Sequence, residues 1–141
     1  MTGASAAGGE PEQADAAAAV VAAANQAFYE AFEARDLDAM SDVWEHSDRV
    51  SCSHPGWGVL RGWGQVAASW MALFQGPQRL QFILTDQRIE IEGDVAWVTV
   101  DENLLGDDAG STVTSMNVFV RRDADRWKLV AHHGSAVAPR R

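Results

Sequence analysis

Four consecutive segments rich in β-forming residues fill the C-terminal half of the chain and limit its possible folds more than any other feature. They cover 79–92, 95–105, 111–122 and 127–137. Short turns that contain Gly or Asp join them, and strands joined by short turns pair antiparallel. The sequence therefore predicts an antiparallel meander.

The N-terminal part of the chain shows helical periodicity instead. Within 15–35, the apolar residues Val21, Phe28 and Phe32 lie at helical spacing, which predicts a first helix with one buried stripe. Asp36 can cap a short second helix, because an aspartate at this position accepts a hydrogen bond from the first turn. The two helices are expected to form a hairpin.

A short strand, a brief second strand within the Gly-rich stretch 56–62 and a third helix complete the predicted order. Polar and apolar residues alternate over 49–54, and this strand ends at the turn formed by Pro55 and Gly56. Apolar residues recur at helical spacing over 63–74. The whole order is typical of the α+β class, with three N-terminal helices packed on a curved, mainly antiparallel sheet.

The chain length of 141 residues is that of one domain. Residues 1–13 are small and polar and include Gly and Pro, so we expect a disordered leader there. A single domain is predicted over 14–138, followed by a tail at 139–141.

The net charge of −9 is confined to the first third of the sequence. Residues 1–48 contain ten acidic residues and one basic residue, Arg35, whereas 49–141 contain ten of each sign. Adjacent basic residues occur only at 121–122 and 140–141, which is too few for a surface that follows a phosphate backbone. Nucleic acid is therefore not an expected partner.

The single cysteine, Cys52, cannot form an internal disulfide, which favours a reducing compartment. No apolar run is long enough to span a bilayer, and 1–13 lacks the positive start of a signal peptide. We expect a cytoplasmic protein that does not bind a membrane.

Three local sequences support a family resemblance over about 15–137. They are FEARDLDAM at 32–40, SHPGW at 53–57, and the ending that runs from Arg121 to HHGS at 132–135. Together with the order of elements, they resemble the NTF2-like superfamily, and within it the SnoaL-like proteins close to the association domain of calcium/calmodulin-dependent kinase II. The resemblance implies a cone-shaped α+β fold and a likeness to ketosteroid isomerase.

One such scaffold serves several functions, so the resemblance leaves two classes open. The first is a small-molecule-binding protein that acts as a cofactor-independent acid/base enzyme of the isomerase, cyclase or dehydratase type, on a small apolar or polyketide-like substrate. The second is a non-catalytic module for ligand binding or oligomerisation. In both classes a small apolar molecule is expected in the cone cavity, and a homodimer is expected through the exposed sheet face.

His54 is the first candidate catalytic residue. It precedes a Pro-Gly turn, where the similar isomerases carry a carboxylate base followed by Pro, and a neutral imidazole can also accept a proton at neutral pH. The alternative is a histidine that fixes the turn through a main-chain carbonyl.

Asp101 and Glu102 point to opposite faces of one predicted strand. An acid in an apolar cavity has a raised pKa and can act as a general acid or base, as an Asp does in SnoaL-type cyclases. Asp101 shares a face with Trp97 and with Thr99, which matches a pocket position of the kinase association domain. Asp101 is therefore the second catalytic candidate, and an ion pair with a nearby arginine is the alternative.

Two residues are candidate hydrogen-bond donors to a ligand. Phe28 occupies the place of the isomerase tyrosine, and Tyr29 is rotated by about 100° around the helix. Asn117 falls near the second isomerase donor, although it could instead satisfy sheet-edge main chain. This donor set is incomplete, which disfavours ketosteroid isomerisation.

His132 and His133 are adjacent on the last strand and must face opposite sides unless a bulge intervenes. The family ending favours His133 together with Ser135, whereas strand parity in the kinase association domain favours His132. Both remain candidate ligand contacts.

Aromatic residues and possible metal ligands complete the candidates. Trp57 and Trp63 could form a flat wall for a ring-containing ligand, and Trp97 on the neighbouring sheet is a further candidate contact, with core packing as the alternative for all three. Cys52 and His54 share one strand face, and His132 or His133 could add a third metal ligand. One Cys-Xaa-His sequence is weak support for a metal site, so neither a metal nor a cofactor is expected. The arginine positions of the kinase domain pocket are Thr99, Asn117 and Gly134 here, which favours an uncharged ligand.

Overall fold

The computed structural model describes residues 2–106 and 109–139 and contains helices and strands in the predicted order. The helices and strands are α1 (Thr2–Ala34), α2 (Leu37–Val43), β1 (Ser51–Ser53), β2 (Leu60–Arg61), α3 (Trp63–Gln75), β3 (Phe82–Glu92), β4 (Val95–Leu104), β5 (Thr112–Asp123) and β6 (Arg126–Ala136).

The strands form one curved, open sheet in the order β2-β1-β6-β5-β4-β3. The meander from β3 to β6 is antiparallel, as predicted. However, β1 pairs with β6 in parallel, so the sheet is mixed. The third helix follows β1 and β2, so the helices are mostly, and not all, N-terminal.

The first helix begins at Thr2, earlier than the predicted start near residue 15. It therefore includes residues 2–13, for which the sequence predicts a disordered leader because of the three Gly and one Pro there. The division into leader, domain and tail stays a prediction, and residues 140–141 of the tail lie outside the described residues.

Asp36 caps the second helix as predicted, because its carboxylate accepts a hydrogen bond from the Ala39 main-chain N at 3.0 Å. The turn before it places Arg35 at a φ of 55°, in the left-handed region. This tight turn folds α2 back beside α1. No helix in the described part of the chain is long and apolar enough to cross a membrane.

The helices cover one face of the sheet, which we call the inner face, and leave the outer face open. Helix residues such as Phe28 and Trp70 pack in one core with Val98 and Phe119 of the sheet. This arrangement removes the apolar stripe of α1 from water, which is the main driving force for such packing. It also buries the inner-face side chains of β4 and β5 between helix and sheet.

A bulge in β6 decides which of its residues reach the inner face. Val118 pairs with Ala131 and Phe119 pairs with Leu129, so β6 holds one extra residue, Val130, at this point. An extra residue reverses the alternation of a strand. Leu129 and His132 therefore both lie buried on the inner face.

Candidate functional site

Six polar side chains lie buried together between α1 and the inner face of the sheet. Each is at most 4% exposed. We call this set the inner polar cluster, and its members are Asn25, Tyr29, Glu102, Ser115, Asn117 and His132. Buried polar groups are costly unless they are hydrogen-bonded, so the bonding within the cluster determines what it can do.

Glu102 is the acidic member of the cluster, and one of its oxygens accepts both available hydroxyl groups. Tyr29 donates its phenol to Glu102 Oε2 at 2.6 Å, and Ser115 donates to the same atom at 2.7 Å. Burial raises the pKa of the Glu102 carboxyl, against the lowering effect of the two hydroxyls. The other oxygen, Oε1, makes no hydrogen bond to the described residues.

Tyr29 stays protonated because of its surroundings. Burial and the neighbouring Glu102 carboxyl raise the pKa of the phenol. Its hydroxyl is therefore a fixed donor toward Glu102.

Asn117 joins the other members of the cluster. Its Nδ2 donates to Asn25 Oδ1 at 2.8 Å and to the Tyr29 hydroxyl at 3.3 Å. Its Oδ1 lies 2.5 Å from His132 Nδ1. Because an amide oxygen only accepts, His132 must carry its hydrogen on Nδ1. Burial, together with His54 and His133, lowers the pKa of His132 to about 3, so the ring is neutral at neutral pH.

His54 lies beside the cluster on the same side of the sheet and is 4% exposed. Its Nε2 is 3.0 Å from Ser69 Oγ and 3.7 Å from Cys52 Sγ. Its ring makes edge contacts with Trp57 and Trp70 at centroid distances of 4.9 and 4.8 Å. Burial lowers the pKa of His54 to about 4, so it is neutral but a weaker base than an unperturbed histidine.

Asp101 lies on the outer face of the sheet, on the side opposite the inner polar cluster. In β4, the buried positions are Ala96, Val98, Val100 and Glu102, and Asp101 belongs to the alternate set on the outer face. The buried acid of this pair is therefore Glu102. Trp97 and Thr99 share the face of Asp101 and are likewise outside the inner polar cluster.

The two adjacent histidines face opposite sides, as strand geometry requires. His132 is 2% exposed and bonded within the cluster. His133 is exposed on the outer face, where Ser135 also lies. Of this pair, only His132 could meet a ligand on the inner face.

The remaining tryptophan candidates, Trp57 and Trp63, have different aromatic neighbours. Trp57 is 44% exposed and touches His54 by its edge, so it lies next to the inner site. Trp63 stacks on His46 at a centroid distance of 4.4 Å and packs beside Trp44. Cys52 is fully buried, and burial raises the pKa of its thiol to about 12, which is the behaviour of a core residue.

Besides Glu102, the structure adds three residues that the sequence analysis does not single out. Asn25 precedes Tyr29 by four residues, so both lie on one face of α1. Ser115 lies two residues before Asn117 on β5, so their side chains share one face of the sheet. This spacing is the sequence signal that could have identified Ser115. Ser69 carries no signal in the sequence, because its role depends on the distance between α3 and the end of β1.

A shallow groove of about 500 Å³ lies on the outer face. It is lined in part by Thr99, Met116, Val118 and His133, and Met116 is 45% exposed. Over residues 2–106 and 109–139, no three His, Cys, Asp or Glu side chains are grouped so that they could hold a metal ion.

Comparison with known proteins places these features in a family. The model of the SnoaL-like domain matches residues 21–139. A solved structure of a proposed dehydratase of the NTF2-like family from Streptomyces avermitilis is 41% identical, with a TM-score of 0.75 over 84% of this chain and 94% of that chain. A proposed calcium/calmodulin-dependent protein kinase type II association domain from Thiobacillus denitrificans is 38% identical, with a TM-score of 0.75 over 82% of this chain and 94% of that chain.

A curated relative is longer than this chain. The F-box protein SKIP8 of Arabidopsis thaliana is 34% identical over 113 residues, which are 80% of this chain and 48% of that protein. The chain thus spans about half the length of this relative.

Proposed function

The chain belongs to the SnoaL-like domain family of the NTF2-like superfamily, and on that premise we propose that it binds a small uncharged molecule at the inner polar cluster and exchanges a proton with it through Glu102. The observation that carries the proposal is the bonding of Glu102. Both neighbouring hydroxyls converge on Oε2, which leaves Oε1 for a ligand.

The surroundings of Glu102 suit acid/base chemistry without a cofactor. Burial raises the pKa of the carboxyl toward the range where an acid can both give and take a proton. Tyr29 and Ser115 hold it in one orientation, and Asn117 fixes Tyr29 in turn. A dehydration, as proposed for the Streptomyces avermitilis protein, needs such a proton exchange at the leaving hydroxyl.

The ligand is proposed to be uncharged because the cluster offers it no cation. Tyr29 is a protonated phenol, and His54 and His132 are neutral rings. A carboxylate or phosphate would have no charged partner here and would lie near Glu102. We place the protein in the cytoplasm, which suits its single buried cysteine.

Native mass spectrometry of the purified protein, with release and identification of any bound molecule, would provide a ligand for binding measurements. We expect Tyr29→Phe to weaken ligand binding about tenfold, because the variant loses a hydrogen bond in the inner polar cluster. Thr99→Val should leave ligand binding unchanged. Both changes remove one hydroxyl, one on each face of the sheet. If Thr99→Val weakened binding and Tyr29→Phe did not, the ligand would occupy the outer groove and the proposal would be wrong.

A second candidate function, an oligomerisation module, is favoured by the outer face of the sheet. Ile83 and Met116 are 55% and 45% exposed there, and apolar groups rarely stay uncovered on a sheet. The Thiobacillus denitrificans relative is described as an association domain. We propose a homodimer through this face, which is compatible with a ligand site on the inner face.

We expect Met116→Glu to weaken the dimer by about a hundredfold or more, because it buries an unpaired carboxylate in the interface. Sedimentation velocity over a range of concentrations would measure this change. Met71→Glu is the matched control, since Met71 on α3 is also 45% exposed. A monomeric wild type, or equal behaviour of the two variants, would rule out this interface.

A further inference from the structure

The contacts of Ser69 determine how His54 can bond to it. The Ser69 hydroxyl donates its single hydrogen to the Val66 main-chain oxygen at 2.7 Å. Ser69 Oγ therefore faces His54 Nε2, 3.0 Å away, as an acceptor, and Nε2 has to be the donor. In a neutral ring with hydrogen on Nε2, the Nδ1 atom is an unprotonated acceptor.

We propose that Ser69 is a positioning residue that holds His54 in the Nε2–H tautomer, and that His54 Nδ1 recognises a hydrogen-bond donor on the ligand, such as a hydroxyl, an enol or an N–H group. The part that concerns the ligand rests on the proposed function and narrows its substrate class. The part that concerns the tautomer stands on the geometry of α3 and β1 alone.

The surroundings of the ring support both parts. Nδ1 makes no hydrogen bond to the described residues, whereas Nε2 is engaged. The ring makes edge contacts with both Trp57 and Trp70, which restrict its rotation. Burial keeps the ring neutral at neutral pH, so Nδ1 retains its lone pair.

The same geometry excludes other ligand classes at this atom. A carbonyl oxygen, a carboxylate or a phosphate would bring a lone pair against the lone pair of Nδ1. His132, whose ring centroid is 6.4 Å from that of His54, is also neutral and supplies no positive charge. A donor group is what remains complementary to this position.

Nitrogen-15 NMR of the histidine rings in the full chain tests the tautomer directly, with the His54 signals assigned by their loss in His54→Gln. In wild type at neutral pH we expect Nε2 at the shift of a protonated nitrogen and Nδ1 at that of an unprotonated one. In Ser69→Ala, the difference between the chemical shifts of Nε2 and Nδ1 should be lost. In Ser69→Thr, which keeps a hydroxyl, the difference should be present as in wild type. Ala68→Ser, one residue along α3, is the control that should change nothing.

The wild-type spectrum alone shows which tautomer His54 adopts, even if Ser69→Ala fails to fold. A protonated Nδ1 in wild type would overturn the assignment, and so would an unchanged pattern in a folded Ser69→Ala protein. A spectrum of two mixed tautomers in wild type would equally contradict a fixed ring.

Phenol and anisole test the ligand class, since they share a ring and only phenol has a hydroxyl to donate. We expect phenol to shift the Nδ1 resonance and anisole to leave it in place. Equal shifts from both compounds, or none from either, would make the donor assignment wrong. The comparison of Tyr29→Phe with Thr99→Val decides the inner site independently, so failure here and failure of the proposed function are distinguishable.

Discussion

Glu102→Gln is expected to fold and to become progressively more stable than wild type as the pH rises. Burial raises the pKa of Glu102 in the folded state above its ordinary value of 4.5. Ionisation then costs more in the folded protein than in the unfolded chain, so wild type loses stability as the pH rises through the folded pKa. The glutamine side chain of the variant cannot ionise and avoids this loss. Thermal unfolding of both proteins at a series of pH values from about 4 to about 9, which begins below the ordinary carboxyl pKa, would measure the difference.

Glu102→Gln also separates the structural role of Glu102 from its proposed role in proton exchange. The amide oxygen of Gln can accept the hydroxyls of Tyr29 and Ser115 that Glu102 Oε2 accepts now, so the cluster keeps its bonds. Proton exchange is lost, and with an identified substrate we expect turnover to fall by about 10²–10⁴-fold. Asp101→Asn is the matched control on the outer face and should change neither quantity. Full turnover in Glu102→Gln would refute acid/base catalysis by this residue.

The sequence predicted the elements well because their signals are local. Alternation within β4 and helical spacing within α1 depend only on neighbouring residues. The choice between Asp101 and Glu102 required a further step, namely which face the helices cover. The uniformly apolar set of Ala96, Val98 and Val100 indicates that face, but the resemblance at Thr99 favoured the other one.

Other parts of the site depend on contacts that no local pattern encodes. The bulge at Val130 turns His132 toward the inner face, and no local sequence pattern around Val130 indicates that the strand has an extra residue there. The low pKa of His54 arises from burial under α3, so its sequence position at a Pro-Gly turn predicted a stronger base than the structure holds. The stacking of Trp63 on His46 likewise joins two segments that no local pattern brings together.

Asn117→Leu is expected to destabilise the protein by about 2–6 kcal/mol, since it leaves Asn25 Oδ1 and His132 Nδ1–H buried without their partner. Each orphaned buried polar group costs about 1–3 kcal/mol, and a domain of this kind is stable by only about 5–15 kcal/mol in total. Urea unfolding monitored by tryptophan fluorescence would measure the loss. Asn103→Leu is the matched control on β4, because Asn103 also bonds through both ends of its amide but is half-exposed. We expect it to cost about 1 kcal/mol or less.

A double variant tells whether the loss comes from unsatisfied groups or from altered packing. In Asn117→Leu with His132→Phe, the ring donor that lost its acceptor is removed together with it, so Asn25 Oδ1 is the group left without its partner, and replacing both partners of the other bond costs little. The new phenyl ring would lie against Phe28 and Trp70, which already contact the imidazole ring. We therefore expect the double variant to be more stable than Asn117→Leu alone, which is a coupling between the two sites. If the losses of unfolding free energy were additive, the Asn117 amide and the His132 ring would stabilise the protein through packing. The hydrogen bond between them would then not be what holds the cluster together.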